Sequence, residues 1–290
     1  MRYVQEDDKV VLTDFSDFDI TETLECGQCF RFDKTDEDEF VVIAVNKVIY
    51  IKQYGMERVE FYPCTVSEFE NIWIKYFDLD RDYIKIKEIL SEDDSIMKEA
   101  IEFASGIRIL NQEPYECLIS FIISQNNRIP MIKKVIENIS REYGNDLRGG
   151  YYSFPAAEVL NRVSEEELMK CKTGFRAKYI KDAVEKLSSG EILIENLKDM
   201  ETDELRRELL NIHGVGPKVA DCTMLFSMGK GEVFPIDVWV RRVMQYFYFN
   251  DEEVSMKKIH TFADEKWGEY AGFAQQYLFH YARIKQIGKK

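Results

Sequence analysis

The spacing of apolar residues changes partway along this 290-residue chain, and that change constrains the fold more than any other feature of the sequence. Residues 39–54 predict two β-strands around a turn at Asn46, because β-branched and aromatic residues lie on both sides of it. Short apolar runs at Phe30–Phe32 and Val59–Phe61 predict neighbouring strands. From about Ser67 onward, apolar residues recur at the spacing of helices instead.

This order predicts an α+β protein. We expect an N-terminal antiparallel β-sheet domain over residues 1–105 and a helical domain over residues 106–290. Ser164, with Glu167 three residues later, predicts a capping box at the start of one helix. Other helices are expected at Pro114–Gln125, Met131–Glu142, Arg176–Leu187, Ser255–Trp267 and Gly272–Gln286.

A glycine-rich turn joins two of the predicted helices near residues 201–229. A dinucleotide-binding turn is disfavoured, because it would follow a strand and would need a small residue where Val219 stands. A plain helix-turn-helix connection remains open. The alternative is a helix-hairpin-helix, in which Gly214 and Gly216 bring backbone amides close to a DNA phosphate and the next helix adds its positive N-terminal end.

The formal net charge of -14 argues against a nucleic-acid-binding protein, because neutralising phosphates requires clustered Lys and Arg. The acidic residues concentrate, however, in a few stretches such as Asp36–Glu39, Glu92–Asp94 and Glu165–Glu167. A local basic face is therefore compatible with this composition, and backbone amides also hold phosphates.

No apolar run reaches the length of a membrane span, and the first residues do not resemble a targeting signal. We expect a monomeric cytoplasmic protein without a membrane partner, and the lack of nuclear or organelle signals favours a prokaryote. The six cysteines are expected to be free thiols. Cys26 and Cys29 form the one CxxC motif, but too few partners accompany them for a zinc or redox site, so no cofactor is expected.

Lys218 lies in the first turn of the helix that Pro217 begins. The helix dipole disfavours a positive charge there, which favours a neutral and nucleophilic amine, although a phosphate contact is an equally open interpretation. Asp237 is the one acid in the apolar run 233–240. It suits a helix cap, and it also suits a carboxylate that stabilises a cationic sugar.

With these residues the chain resembles the helix-hairpin-helix DNA glycosylases, and within them the 8-oxoguanine DNA glycosylases. Six segments carry the resemblance in the expected order, and they are distributed over most of the length of the chain: residues 26–32, 116–129, 174–180, 210–222, 233–239 and 270–279.

The resemblance implies a bifunctional repair enzyme that acts on double-stranded DNA containing 8-oxoguanine. The damaged base would leave the stack and enter a pocket. Lys218 would attack C1′ of the sugar and form a Schiff base, and β-elimination would then nick the strand. Asp237 would assist.

The resemblance also assigns residues that contact the base. Gly27 would accept a hydrogen bond from N7–H of 8-oxoguanine through its carbonyl, whereas normal guanine has a lone pair at N7. Gln275 would bind the Watson–Crick edge, and the base would lie between Phe279 and Cys222. A turn glycine at position 27 and core packing of Phe279 remain open.

On the DNA side, the resemblance implies that Asn126 fills the space left by the flipped base. It places Phe175 as an aromatic wedge and Arg176 near the opposite cytosine. Helix termination is the alternative interpretation of Asn126. Hairpin carbonyls can bind a monovalent cation in such motifs, and the resemblance implies that those of Leu210, Ile212 and Val215 would do so here.

Two positions depart from the family pattern. Met131 stands where a second arginine usually helps to recognise the opposite cytosine, so we expect a relaxed preference for the opposite base unless Arg128 compensates. Trp239 stands where the family often has histidine. A glycosylase for alkylated or mismatched bases and a non-catalytic DNA-binding module are the alternatives. Gly27 and Gln275 argue against the first, and the Lys–Asp pair argues against the second.

Overall fold

The structure is a computed structural model that describes residues 1–194 and 196–287. Within these ranges six antiparallel strands form one sheet in the order β1-β2-β6-β5-β4-β3. The strands are β1 Arg2–Glu6, β2 Lys9–Thr13, β3 Phe32–Asp36, β4 Glu39–Ala44, β5 Lys47–Tyr54 and β6 Arg58–Tyr62.

The β4–β5 hairpin confirms the predicted pair of strands. Ala44 pairs with Lys47, and the two residues between them, Val45 and Asn46, have φ angles of 51° and 55°. Positive φ at both central residues is typical of the tight hairpin turn whose twist matches that of the flanking strands. The strands β1 and β2, by contrast, were not predicted. Most of β1 is exposed, and it therefore lacks an apolar pattern.

Helices make up most of the remaining chain. Those of the described residues are α1 Ile20–Glu25, α2 Val66–Glu68, α3 Ile74–Tyr76, α4 Tyr83–Ser91, α5 Ser95–Phe103, α6 Pro114–Ser124, α7 Ile129–Tyr143, α8 Ala157–Leu160, α9 Glu165–Lys170, α10 Ala177–Ser188, α11 Thr202–Leu210, α12 Pro217–Ser227, α13 Val238–Tyr248, α14 Met256–Trp267 and α15 Ala271–Lys285. A π-helical turn, Phe69–Trp73, links α2 to α3, and 3-10 turns lie at Gly174–Arg176, Asn196–Asp199 and Gly268–Tyr270. In the part of the chain that the structure describes, no helix has the length and apolar character needed to cross a membrane.

The predicted helix starts are confirmed where a local signal marked them. Ser164 and Glu167 form the expected reciprocal capping box of α9, and Pro217 is the first residue of α12. The Ser255 side chain caps α14. The start of α7 differs from the prediction: it lies at Ile129 rather than Met131, with Pro130 in the first turn, where a missing amide costs no hydrogen bond.

Apolar side chains form two buried clusters. One joins a face of the sheet to the first helices and includes Phe18, Phe40 and Trp73. The other lies among the remaining helices, from Leu118 of α6 to Leu278 of α15. Cys26 and Phe30, which follow α1, pack into this second cluster and so bring the turn between them against α15.

Candidate active site

The glycine-rich turn connects two helices, α11 and α12, as the hairpin interpretation predicts. Gly214 has a φ of +85°, and a Cβ atom at this position would lie 2.3 Å from the ring of Tyr179. Both the left-handed backbone and the close approach therefore require glycine. Gly216 is the N-cap residue of α12 with an ordinary φ of -99°, and its surroundings are open.

Helix α10 packs against this hairpin and binds its backbone. Asp182 accepts hydrogen bonds from the His213 amide at 2.7 Å and from Lys186 Nζ at 2.9 Å. Lys186 also donates to the carbonyl of Asn211 at 2.7 Å. The His213 ring packs edge-on against Tyr179, with 5.0 Å between the ring centroids. Contacts with α10 thus fix the hairpin.

A cleft of about 620 Å³ opens at the end of α12. Four of the predicted site residues, Lys218, Asp237, Asn126 and Met131, meet there. The complete lining is Ser124, Gln125, Asn126, Asn127, Arg128, Met131, Lys218, Asp237 and Val238. The N-terminal ends of three helices, α7, α12 and α13, and the turn after α6 therefore surround one space.

Lys218 is half-buried at this cleft. Its Nζ lies 3.5 Å from Ser124 Oγ and 4.8 Å from the centroid of the Phe121 ring. Within the described residues, Lys218 has no carboxylate within 4.0 Å of its amine. The neighbours of the amine are thus a weakly bound hydroxyl and an aromatic ring. Among these residues the amine forms no ion pair, so it is available to a ligand.

Cys222 lies one helical turn after Lys218, and its side chain is buried. Burial raises the pKa of the Cys222 thiol to about 11, although the nearby ammonium of Lys218 opposes that shift. The thiol is therefore neutral at physiological pH. It offers an apolar, polarisable surface beside the amine rather than a counter-ion.

Asp237 is the N-cap residue of α13, which confirms the expected cap. Its Oδ1 accepts a hydrogen bond from the amide of Val240 at 2.7 Å. Within the described residues, Oδ2 has no hydrogen bond. One carboxylate oxygen thus fixes the helix, and the other remains available on a side chain that lines the cleft with Lys218.

The turn after α6 presents Asn126 to the cleft in a left-handed conformation, with a φ of +48°. Arg176 holds this turn: Nε donates to the Gln125 carbonyl at 2.8 Å and Nη2 to the Asn126 carbonyl at 2.9 Å. Its side chain is buried and stacks 4.5 Å from the centroid of the Phe175 ring, whereas Phe175 itself is 51% exposed. The sequence did not reveal that Arg176 binds backbone carbonyls.

The residues expected to contact the base lie outside the lining of that cleft. Gly27 has a φ of +90°, and a Cβ atom there would lie 3.2 Å from Phe279 Cε1, so the turn and the ring are direct neighbours. Gln275 is buried, and its Oε1 has no hydrogen-bond partner within the described residues. Cys222, the fourth residue expected to contact the base, lies beside Lys218.

Trp239 is half-buried on α13, two residues after Asp237. Its buried Nε1 has no hydrogen-bond partner among the residues that the structure describes. In the same part of the chain, no group of three or more His, Cys, Asp or Glu side chains is placed to hold a metal ion.

Two family models match the chain. The model described as 8-oxoguanine DNA glycosylase, N-terminal domain, matches residues 10–118, and the one described as HhH-GPD superfamily base excision DNA repair protein matches residues 119–269. The boundary between the two matches falls within α6.

Known proteins are similar over much of the same length. A Clostridium acetobutylicum 8-oxoguanine glycosylase/lyase, solved with double-stranded DNA containing cytosine opposite 8-oxoguanine, is 44% identical, with a TM-score of 0.95 and 99% of each chain covered. A probable N-glycosylase/DNA lyase of Methanothermobacter thermautotrophicus is 34% identical over 66% of this chain and 68% of its own length. The Saccharomyces cerevisiae N-glycosylase/DNA lyase is 36% identical over 63% of this chain, which spans 57% of that longer protein.

Proposed function

The chain belongs to the 8-oxoguanine DNA glycosylase family of the HhH-GPD superfamily, and from this premise we propose that it excises 8-oxoguanine from duplex DNA and then nicks the strand. The observation that carries the proposal is the meeting of Lys218 and Asp237 on one cleft. The amine has no ion-pair partner in the described part of the chain, and the carboxylate is oriented by its role as a helix cap.

In the proposed reaction, the nitrogen lone pair of Lys218 bonds to C1′ while the glycosidic bond breaks and its electron pair leaves with the base. The attached nitrogen then gives its proton to the departing base, and the C1′–O4′ bond breaks, which opens the sugar ring and gives a Schiff base. Removal of a proton from C2′ expels the 3′ phosphate. Asp237 stabilises the positive charge that develops on the sugar, a contribution of the kind that preorganised charges make at transition states.

The residues around Gly27 form the proposed pocket for the base. The Gly27 carbonyl accepts N7–H of 8-oxoguanine, and the base stacks between Phe279 and Cys222. Gln275 binds the Watson–Crick edge. Its buried Oε1, unpartnered within the described residues, supports this role, because an N–H of the base would satisfy it.

Phe175 is the proposed wedge that enters the stack, and its exposure supports that role. Asn126 fills the space that the flipped base leaves, and Arg176 contributes by holding the turn that carries Asn126. Met131 is 45% exposed at the cleft and offers no donor to an opposite cytosine. A relaxed preference for the opposite base follows, and Arg128 is the arginine present in the lining.

The hairpin is the proposed phosphate contact, through amides near Gly214 and Gly216 and the N-terminal end of α12. Its carbonyls at Leu210, Ile212 and Val215 are hard oxygen donors of the kind that suits a monovalent cation, which would stiffen the turn. The Ile212 carbonyl accepts a hydrogen bond from the Val215 amide at 3.0 Å, which closes a tight turn between the two helices.

We further propose a monomer that acts on DNA in a prokaryotic cytoplasm, with its domains divided near residue 105. The similarity to a bacterial protein over 99% of the chain supports a prokaryotic origin. The family also contains archaeal and yeast proteins.

Base release from defined duplexes tests the proposed function. Five duplexes are needed: 8-oxoguanine opposite each of the four bases, and 7-methylguanine opposite cytosine. We expect release of 8-oxoguanine from all four partners, followed by strand nicking, and no release of 7-methylguanine. Release of the alkylated base alone would indicate the alternative glycosylase, and DNA binding without release of any base would indicate a non-catalytic module.

A further inference from the structure

The backbone just before Gly27 is tied to α15 by a buried side chain. Gln276 is 2% exposed, and its Nε2 donates to the carbonyl of Cys26 at 2.9 Å. Gln276 directly follows Gln275 and precedes Phe279 on the same helix. A single hydrogen bond therefore connects the turn that presents the Gly27 carbonyl with the helix that carries two other proposed base contacts.

A second side chain of α15 makes a parallel connection. Arg283 Nη2 donates to the carbonyl of Glu25, the last residue of α1. The Arg283 Cζ lies 5.6 Å from the centroid of the Phe279 ring, and Nη1 would lie 3.5 Å from a Cβ at Gly27. Arg283 thus touches both the turn and the ring that is expected to stack on the base.

The turn needs such ties because Gly27, with a φ of +90°, has no Cβ atom to restrict its backbone. Discrimination at N7 depends on geometry: a carbonyl attracts N7–H and repels a lone pair only within hydrogen-bond distance and at a favourable angle. Binding groups must be held to within about 0.5 Å of the productive position for such selection to operate.

We propose that Gln276 and Arg283 are positioning residues for lesion recognition, because they clamp the Cys26–Gly27 backbone to the helix that carries Phe279. This inference rests on the proposed function. The consequence is specific: loss of either tie lets the Gly27 carbonyl move away from N7–H and lets guanine approach. Selection between 8-oxoguanine and guanine is therefore affected more than DNA binding as a whole.

The test compares binding of two duplexes that resist cleavage because the target sugar carries a 2′-fluorine. One duplex contains 8-oxoguanine and the other contains guanine. The Kd of the guanine duplex divided by the Kd of the 8-oxoguanine duplex measures discrimination. We expect Gln276→Met and Arg283→Met each to lower this ratio by about threefold to tenfold, the effect of one buried hydrogen bond. A merely structural role would weaken binding of both duplexes equally and leave the ratio unchanged.

Lys285→Met is the matched control, because it removes a positive charge from an exposed position on the same helix, away from Gly27. It should leave the ratio unchanged. If the methionine variants do not fold, two other variants test the clamp: Gln276→Glu keeps the side-chain size and removes the donor, and Arg283→Gln removes the guanidinium. Unchanged ratios in the folded variants would overturn the clamp. If the wild-type protein itself shows no preference for the 8-oxoguanine duplex, the proposed function fails instead.

Discussion

Asp237 has two separable roles, and two substitutions separate them. Its Oδ1 caps α13 through the Val240 amide, and its carboxylate faces the cleft that contains Lys218. Asparagine caps helices about as well as aspartate, whereas replacing an N-cap residue by alanine costs about 1 kcal/mol. Asp237→Asn should therefore leave the free energy of unfolding within about 0.5 kcal/mol of wild type, and Asp237→Ala should lower it by about 1 kcal/mol.

The chemical role predicts a different order for activity. Both variants lack the negative charge that stabilises the cationic sugar, so both should slow base excision by about a hundredfold to a thousandfold, which is the usual cost of losing one such group. Urea unfolding followed by circular dichroism measures the first effect, and single-turnover excision with enzyme in excess measures the second. An Asp237→Asn variant with the wild-type excision rate would refute the chemical role. An Asp237→Asn variant that is as unstable as Asp237→Ala would refute the role of this side chain as a helix cap.

Three further predictions concern other parts of the molecule. Gly27→Ala forces a φ of +90° on a residue with a Cβ that would lie 3.2 Å from Phe279, so we expect roughly 1–2 kcal/mol lower stability together with slower excision, measured by urea unfolding and single-turnover kinetics. Met131→Arg should raise the preference for cytosine opposite the lesion by about tenfold, which rates on the four duplexes will show; equal rates would count against a role of this position. Burial raises the pKa of Glu22 to about 7, although a hydrogen bond from the Gly106 amide opposes the shift. Because the protonated form is favoured in the folded state, the stabilisation is complete below about pH 4.5 and is lost as the pH rises through 7, so Glu22→Gln should gain thermal stability relative to wild type between pH 5 and pH 8.

Sequence signals revealed those features that depend on neighbouring residues. The capping box at Ser164, the proline that starts α12 and the N-cap at Asp237 each follow from a few adjacent side chains, and the structure confirms all three. The meeting of Lys218 and Asp237 was also predicted, since both residues begin helices in segments that match the family.

Local sequence patterns did not predict the contacts between segments that are distant in the chain. The resemblance places Arg176 near the opposite cytosine, but no pattern in the sequence indicates that its side chain is buried against the carbonyls of Gln125 and Asn126. The bond from Gln276 to Cys26 joins residues 250 positions apart, and no local pattern marks a glutamine that binds a backbone carbonyl. Strand β1 escaped prediction because its pairing with β2, rather than burial of its side chains, places it in the sheet.

The central claim is that the amine of Lys218 attacks C1′ of the damaged nucleotide. Borohydride reduction during the reaction with an 8-oxoguanine duplex tests it most directly, because it converts a Schiff base into a stable covalent bond. We predict a protein–DNA adduct with the wild-type enzyme and none with Lys218→Gln. An adduct that persists in Lys218→Gln, or base release by the wild-type enzyme without any adduct, would contradict the claim.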